Sequence, residues 1–321
     1  MTVAATTQSV VTASALQKRY GSIVALDSLD IEIPRTSVGL LGPNGAGKST
    51  LIKLLLGLIR PSGGSASIFG LDATRDALRV RERVGYMPES DCLPGDVTAA
   101  DFVGHMAQMS GLPPREARLR AAETLYLCGV DEERYRLMRE FSTGMKQRVK
   151  LAQAIVHDPE LVLLDEPTNG MDPQGREDML HLIQRIHHTA GIAVLLSSHL
   201  LPDVERVCEY VVMLDHGRLV QHGAVASLVQ GSSDIDVQID GDAEVFSSRL
   251  AAAGMNIHRN GPDLVVQASD DVAFDIIRDT AVDLGVALRK LQPSSRSLED
   301  VYVQQLRLSE SQSRENGVDA G

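Results

Sequence analysis

Tryptophan is absent from this chain, and aromatic side chains make up only 3% of its 321 residues. A core without large rings must rest on Leu, Val, Ile, Ala and Met. Apolar residues form 43% of the chain, enough for a sizeable core. Cysteine is scarce too. Cys92, Cys128 and Cys208 lie far apart with no metal-ligand spacing. That excludes a disulfide framework and a cysteine zinc site, and it fits a reducing compartment. Positive charge is in deficit, with a formal net charge of −12. A nucleic-acid partner is therefore not expected, since it needs clustered Lys and Arg to displace counterions. No apolar run reaches the length of about 18 residues that reads as a membrane span. Met1 to Tyr20 also lacks the basic start and apolar block of a secretion signal. The expectation is a cytoplasmic protein; if it works at a membrane, another chain must span it.

What is present is strand–helix alternation, the mark of an α/β layer fold. Ile31, Ile33 and the run Val38 to Leu41 read as strands bounded by Pro34 and Gly42. Leu51, Ile52, Leu54, Leu55 and Leu58 mark a helix after a glycine-rich turn. Pro94 to Glu140 is helical in pattern, broken at Pro113 and Pro114. Leu161 to Leu164 and Ile192 to Leu196 are continuous apolar runs, short enough for strands covered on both faces. Composition shifts near Gln230 to Asp234. Beyond it the pattern gives a strand (Ile235, Val237, Ile239) and a helix (Val245 to Ala253). Strands near Ile257 and Val265, a helix (Val272 to Leu284) and a strand (Val286 to Leu291) follow. That order, βαββαβ, is the split unit of ferredoxin-like folds. Ser297 and Asp300 have the spacing of a helix-capping pair. The expected division is a large domain over 12–230, a small α+β domain over 233–306 and a polar, disordered tail over 307–321.

Gly42-Pro43-Asn44-Gly45-Ala46-Gly47-Lys48-Ser49 fits the phosphate-binding loop G-x-x-x-x-G-K-[ST], between a predicted strand and a predicted helix. Glycines let backbone N–H groups converge on phosphate oxygens, and the helix start adds partial positive charge. In that motif Lys48 reaches the β- and γ-phosphates, and the Ser49 hydroxyl is placed to hold Mg²⁺. The loop alone does not separate kinases, GTPases and ATPases. Leu161 to Leu164 runs into Asp165 and Glu166, two acids at the carboxyl end of a parallel strand, where ligands bind. Asp165 is read as a Mg²⁺ ligand and Glu166 as the general base that polarises water. His199 follows the Ile192 strand at the equivalent edge, in position to bond the γ-phosphate. The basic run Lys146 to Lys150 reads as a solvated helix face. No chemical role is expected for His157, His181, His187, His188, His216, His222 and His258.

One more segment carries a resemblance. Phe141-Ser142-Thr143-Gly144-Met145-Lys146-Gln147-Arg148 looks like the signature of ABC ATPases, and it lies shortly before Asp165, as in that family. Phe141, Thr143 and Met145 depart from the usual Leu-Ser-Gly-Gly-Gln, while Ser142 and Gly144 are kept. The resemblance covers about Thr12 to Val229 and implies a P-loop NTPase of ABC type, with an antiparallel β subdomain and a helical subdomain near 90–150. It also implies Tyr20 as the aromatic that stacks on adenine, Asp172 as the acid of the D-loop and His199 as the switch histidine. Thr50 joins the loop residues that bind the nucleotide. Val84 to Glu89 matches the Q-loop, which usually ends in Gln; Glu89 is expected to keep its place beside Mg²⁺ and nucleotide.

The family further implies a head-to-tail pair of cassettes, homodimer or heterodimer, with ATP on one capped by Ser142 and Gly144 of the other. Its partner is a membrane-spanning permease, which places the chain on the inner face of the cell membrane. Ser297-Leu298-Glu299-Asp300-Val301-Tyr302 resembles the C-terminal extension of type 2 ABC exporters. The function implied is ATP hydrolysis coupled to transport, most consistent with export. The competing readings are a soluble ABC ATPase without transport, a nucleotide-binding module without turnover, and a small-molecule kinase. An intact Glu166 and the lack of an acceptor site weigh against the last two.

Overall fold

The computed structural model describes residues 9–229, 234–260, 263–267, 272–293 and 297–303. The expected tail over 307–321 and most of the composition shift at 230–234 lie outside these residues. The chain divides into two compact units, one running to Val225 and rejoined by 302–303, the other Ala226–Val301.

In chain order the first unit contains β1 (Ser9–Tyr20), β2 (Ile23–Pro34), β3 (Ser37–Leu41), α1 (Lys48–Leu55), β4 (Gly63–Ile68) and β5 (Leu71–Asp72). It continues with α2 (Ala77–Arg83), β6 (Val84–Met87), α3 (Ala99–Met109), α4 (Pro114–Leu127), α5 (Thr143–Ile155) and β7 (Leu161–Asp165). It ends with α6 (Pro173–Ala190), β8 (Ala193–Ser198), α7 (Leu201–Val207), β9 (Tyr210–Asp215) and β10 (Arg218–Ala224). A short helix, α8 (Val225–Val229), crosses the division between units.

Two sheets organise this unit. The first is antiparallel, in the order β2-β1-β4-β5. The second has the order β10-β9-β3-β8-β7-β6, parallel from β9 to β6 with β10 antiparallel at its edge. β3, β7 and β8 are buried at every residue. That is why their sequences are unbroken apolar runs rather than alternations. The parallel register aligns the carboxyl ends. Leu41 pairs with Ser198, Asp165 with Ser197 and Met87 with Leu164. Every loop that leaves β3, β6, β7 and β8 therefore opens on one edge, where open α/β sheets bind ligands.

α1 buries Leu51, Ile52, Leu54 and Leu55 against the core shared by the sheets. α3, α4 and α5 contact one another as a helical layer. α5 lies so close to β6 that a Cβ on Gly85 would sit 1.9 Å from the Ala154 carbonyl oxygen. Only glycine permits that approach, and it joins the helix of the signature segment directly to the strand that leads to Glu89.

The second unit holds β11 (Asp234–Asp240), α9 (Ala243–Ala252), β12 (Asn256–Asn260), β13 (Asp263–Gln267), α10 (Val272–Leu284) and β14 (Ala287–Pro293). Its sheet is antiparallel throughout, in the order β12-β13-β11-β14. This is the βαββαβ arrangement read from the sequence. Ile235, Val237, Phe246, Leu250, Leu264, Val266 and Ile277 form its core. Asp242 caps α9 by accepting from the N–H groups of Glu244 and Val245. Ser297 and Asp300 cap one another reciprocally. The Asp300 N–H donates to Ser297 Oγ at 3.2 Å, and the Ser297 N–H donates to Asp300 Oδ2 at 3.0 Å.

Candidate nucleotide-binding site

β3 ends at Leu41 and the chain turns at once into the glycine-rich loop. Pro43, Asn44 and Gly45 are exposed, whereas Ala46, Gly47 and Lys48 are buried. Gly47 has φ 103°, and a Cβ there would meet the Ala25 carbonyl oxygen at 2.6 Å. Both backbone conformation and space thus require glycine. α1 begins at Lys48 with no side-chain cap, whereas Thr98 and Ser142 cap α3 and α5. No side chain competes for the first-turn N–H groups of α1, so they are available to an anion. Thr50 sits half-buried in that turn.

The Lys48 ammonium donates to the carbonyls of Gly42 at 2.7 Å and Pro43 at 3.3 Å, and lies 3.6 Å from Glu166 Oε1. The other Glu166 oxygen is 2.9 Å from His199 Nδ1. Lys48, Asp165 and Glu166 are all buried. Ser49 Oγ donates to Asp165 Oδ1 at 3.2 Å, and Ser197 Oγ donates to the same oxygen at 2.7 Å. The Glu166 N–H is anchored on Ser197 through Oγ at 3.1 Å and the carbonyl at 3.2 Å. Glu166 carries φ 49°, a strained conformation for a residue with a side chain. Three loops from adjacent strands thus bring Lys48, Ser49, Asp165, Glu166 and His199 together.

The other sequence-predicted residues lie elsewhere. Tyr20 is about half exposed at the end of β1, with the Lys18 ammonium 5.0 Å above its ring. Ser142 caps α5 by accepting from the Met145 N–H at 3.3 Å. Gly144 lies in the first turn of α5, where an added Cβ would meet Met171 Cε at 3.4 Å, and Asp172 precedes α6 without capping it through its side chain. Glu89 accepts from Asn169 Nδ2 at 3.4 Å. Among the described residues, none of these five is hydrogen-bonded to the glycine-rich loop.

One expectation is overturned. The run Lys146 to Lys150 is not a solvated face: Gln147 and Lys150 are buried. On a helix these five residues point all round the axis, so part of the run must face the interior. Gln147 Nε2 donates to the Asn169 carbonyl at 3.1 Å, and Lys150 Nζ donates to the Glu89 carbonyl at 3.0 Å. Burial pushes the Lys150 ammonium below its usual range, opposed by the charges of Cys92, Asp91, Glu89 and Asp165. Burial and the neighbouring Asp165 also push the Tyr86 phenol up, to about 12.

Sequence reasoning also missed Ser197 and a buried carboxylate, Asp203. Arg176 Nε donates to both Asp203 oxygens at 3.0 Å, and Thr168 Oγ1 donates to one of them at 3.4 Å. This cluster fixes α7 and α6 to the segment after Glu166. Its members are too far apart in sequence for any spacing to signal them.

The family model described as ABC transporter matches residues 26–169. The chain is 34% identical to the daunorubicin/doxorubicin resistance ATP-binding protein DrrA of Streptomyces peucetius, over 80% of each chain. It is 32% identical to the linearmycin resistance ATP-binding protein LnrL of Bacillus subtilis, over 72% of this chain and 75% of that one. Among solved structures it is similar to a dimeric post-hydrolysis state of the ATP-binding cassette MJ0796 bound to ADP and Pi. The TM-score is 0.61 at 23% identity, covering 67% of this chain and 98% of that one. The chain belongs to the ATP-binding, ATP-hydrolysing proteins of ABC transporters.

Proposed function

We propose that this chain is the motor subunit of an exporter, in which two cassettes close on ATP and reopen after hydrolysis to drive a separate membrane-spanning permease. The observation that carries the reading is the convergence of Lys48, Glu166 and His199 beside the Ser49–Asp165 pair at one sheet edge. The loop from Gly42 to Thr50 binds the phosphates, and Tyr20 stacks on the base. Lys48 neutralises the β- and γ-phosphates, exchanging its contacts with Gly42, Pro43 and Glu166 for phosphate oxygens. Glu166 accepts a proton from the attacking water at its carboxylate, and His199 orients that carboxylate and bonds the γ-phosphate.

The Ser49 hydroxyl and Asp165 carboxylate, 3.2 Å apart, are hard oxygen donors that fit Mg²⁺, and Glu89, which follows the strand beside β7, is the further oxygen we assign to it. When bound, that ion offsets the negative charge of the phosphate oxygens. Ser142 and Gly144 cap the γ-phosphate of the partner copy, and Asp172 lies at the same junction. The exporter reading rests on the relatives named for drug resistance. No helix of the described residues is long and apolar enough to cross a membrane. The relatives are named as ATP-binding proteins, which favours a permease on a separate chain with this one on the membrane's inner face. Met109, Leu119 and Tyr126 are exposed apolar side chains on α3 and α4, a surface suited to such a partner.

The test is phosphate release from ATP by the purified chain with its co-purifying membrane partner. Glu166→Gln is expected to lower turnover by about 10²–10⁴-fold, the range of a lost general base, while ATP is still bound. Lys48→Ala is expected to weaken both. Wild-type turnover in Glu166→Gln overturns the assignment.

A further inference from the structure

We propose that His187, His188 and Glu209 form a second, independent site for a divalent transition-metal ion, Zn²⁺ by the chemistry of its donors. One ligand atom from each residue lies within 4.8 Å of the others. The two imidazole rings, neighbours in the last turn of α6, have centroids 5.0 Å apart. Glu209 reaches them from the residue before β9. It is held there by its own N–H, which donates to the Ser37 carbonyl at 2.9 Å and to Ser37 Oγ at 3.1 Å. Its Oε2 accepts from Thr36 Oγ1, which leaves Oε1 for a ligand.

A second observation shows that the first imidazole is prepared for ligation. His187 Nδ1 lies 2.8 Å from the Ile192 carbonyl oxygen. A carbonyl only accepts, so Nδ1 carries the proton and the lone pair is on Nε2. This backbone hydrogen bond is the one that metal-bound histidines use to fix tautomer and ring orientation. Position adds to it. The site lies at the carboxyl end of a helix of 18 residues closed by Gly191 in the left-handed region. The partial negative charge of that end favours a cation.

Two neutral imidazoles and one carboxylate suit Zn²⁺ rather than Mg²⁺, which prefers oxygen alone. Zinc–ligand bonds of about 2.0–2.2 Å require the three atoms to close inward. His188 and Glu209 are exposed and can rotate to do so. Three protein ligands leave a fourth position for water. The ion then ties the end of α6 to the start of β9. These residues sit at the amino edge of the parallel sheet, where β3, β8 and β9 begin, opposite the edge that carries Lys48 and Glu166. Binding there leaves the nucleotide loop free. The proposal departs from the expectation that His187 and His188 have no chemical role.

The experiment is calorimetric titration of the metal-stripped full chain with Zn²⁺, without nucleotide and with Mg²⁺ in excess. Visible spectra of the Co²⁺-substituted chain report the ligands. The expected result is one equivalent of Zn²⁺, with affinity reduced at least tenfold in both His188→Ala and Glu209→Gln. His181→Ala, on the same helix, should leave it unchanged. The Co²⁺ spectrum should change in the first two variants alone. Absence of Zn²⁺ uptake by the parent chain overturns the proposal. So does undiminished affinity in both His188→Ala and Glu209→Gln.

Discussion

A lysine taken out of water must find partners for its charge, and Lys150 finds them in the Q-loop. Its ammonium donates to the Glu89 carbonyl, and Glu89 and Asp91 are among the negative groups that favour its charged form. Glu89 stands where the family usually has Gln, so the extra negative charge meets a buried positive one. Removing Lys150 leaves the Glu89 carbonyl and the nearby carboxylates without their cation, whereas removing the exposed Glu89 carboxylate leaves Lys150 its carbonyl bond and Asp91. Lys150→Met is therefore expected to lower both ATPase turnover and melting temperature. Glu89→Gln added to it should restore part of the turnover, although Glu89→Gln alone does not raise it. A double-mutant cycle on turnover checks this. Strict additivity of the two changes rules the coupling out.

Lys150 also marks where the sequence stops being legible. Residues 42–49 declare themselves because one turn carries the whole phosphate-loop pattern, and Asp165 and Glu166 because a buried strand ends on them. Lys150 and Glu89 are far apart in sequence, as are Asp203 and Arg176. Nothing local distinguishes a lysine that meets a carbonyl from one that meets water.

At the scale of elements, the short buried strands were readable because an unbroken apolar run admits few alternatives. β1 was not. Its pairing with β2 shifts register between Ser9 and Val11, between Ala13 and Leu16 and again before Arg19. Each shift breaks the two-residue alternation by which a strand is recognised. The join between α5 and β7 carries a pH dependence of its own. His157 follows α5, and burial pushes its imidazole below the usual 6.5, opposed by a hydrogen bond to the Val84 backbone. Its Nε2 is buried without a hydrogen-bond partner. Between the depressed folded value and 6.5 the unfolded chain binds more protons, so stability rises with pH there and is lost as pH falls below 6.5. Glu160 acts in a lower window. The Arg83 hydrogen bond holds its carboxyl below 4.5, so its contribution is present above 4.5 and lost beneath it. Melting temperature is expected to fall between about pH 7.5 and about pH 5.5, the range that spans an ordinary histidine. His157→Gln should flatten that fall. An identical slope in the variant contradicts the assignment.

At the scale of the whole molecule, the proposed closure makes one chain incomplete for its own chemistry. Ser142 and Gly144 start α5 beside the segment after Glu166, and no described hydrogen bond joins them to the loop over 42–49. In the proposed assembly a second copy, turned head to tail, supplies them. Each chain carries a net charge of −12, so two copies repel until salt screens them. On the proposed closure ATP reverses the local balance at the junction, because Lys48 and the helix start would neutralise its phosphates on one side and the start of α5 on the other. Glu166→Gln, which retains ATP, is therefore expected to sediment as a dimer with ATP and as a monomer with ADP. Raising salt from a low level should first strengthen that dimer by screening net repulsion. Ser142→Arg, which places bulk at the capping surface, should bind ATP yet remain monomeric. Sedimentation velocity separates these states. A Glu166→Gln chain that binds ATP and stays monomeric at every salt concentration removes the basis for closure between two copies.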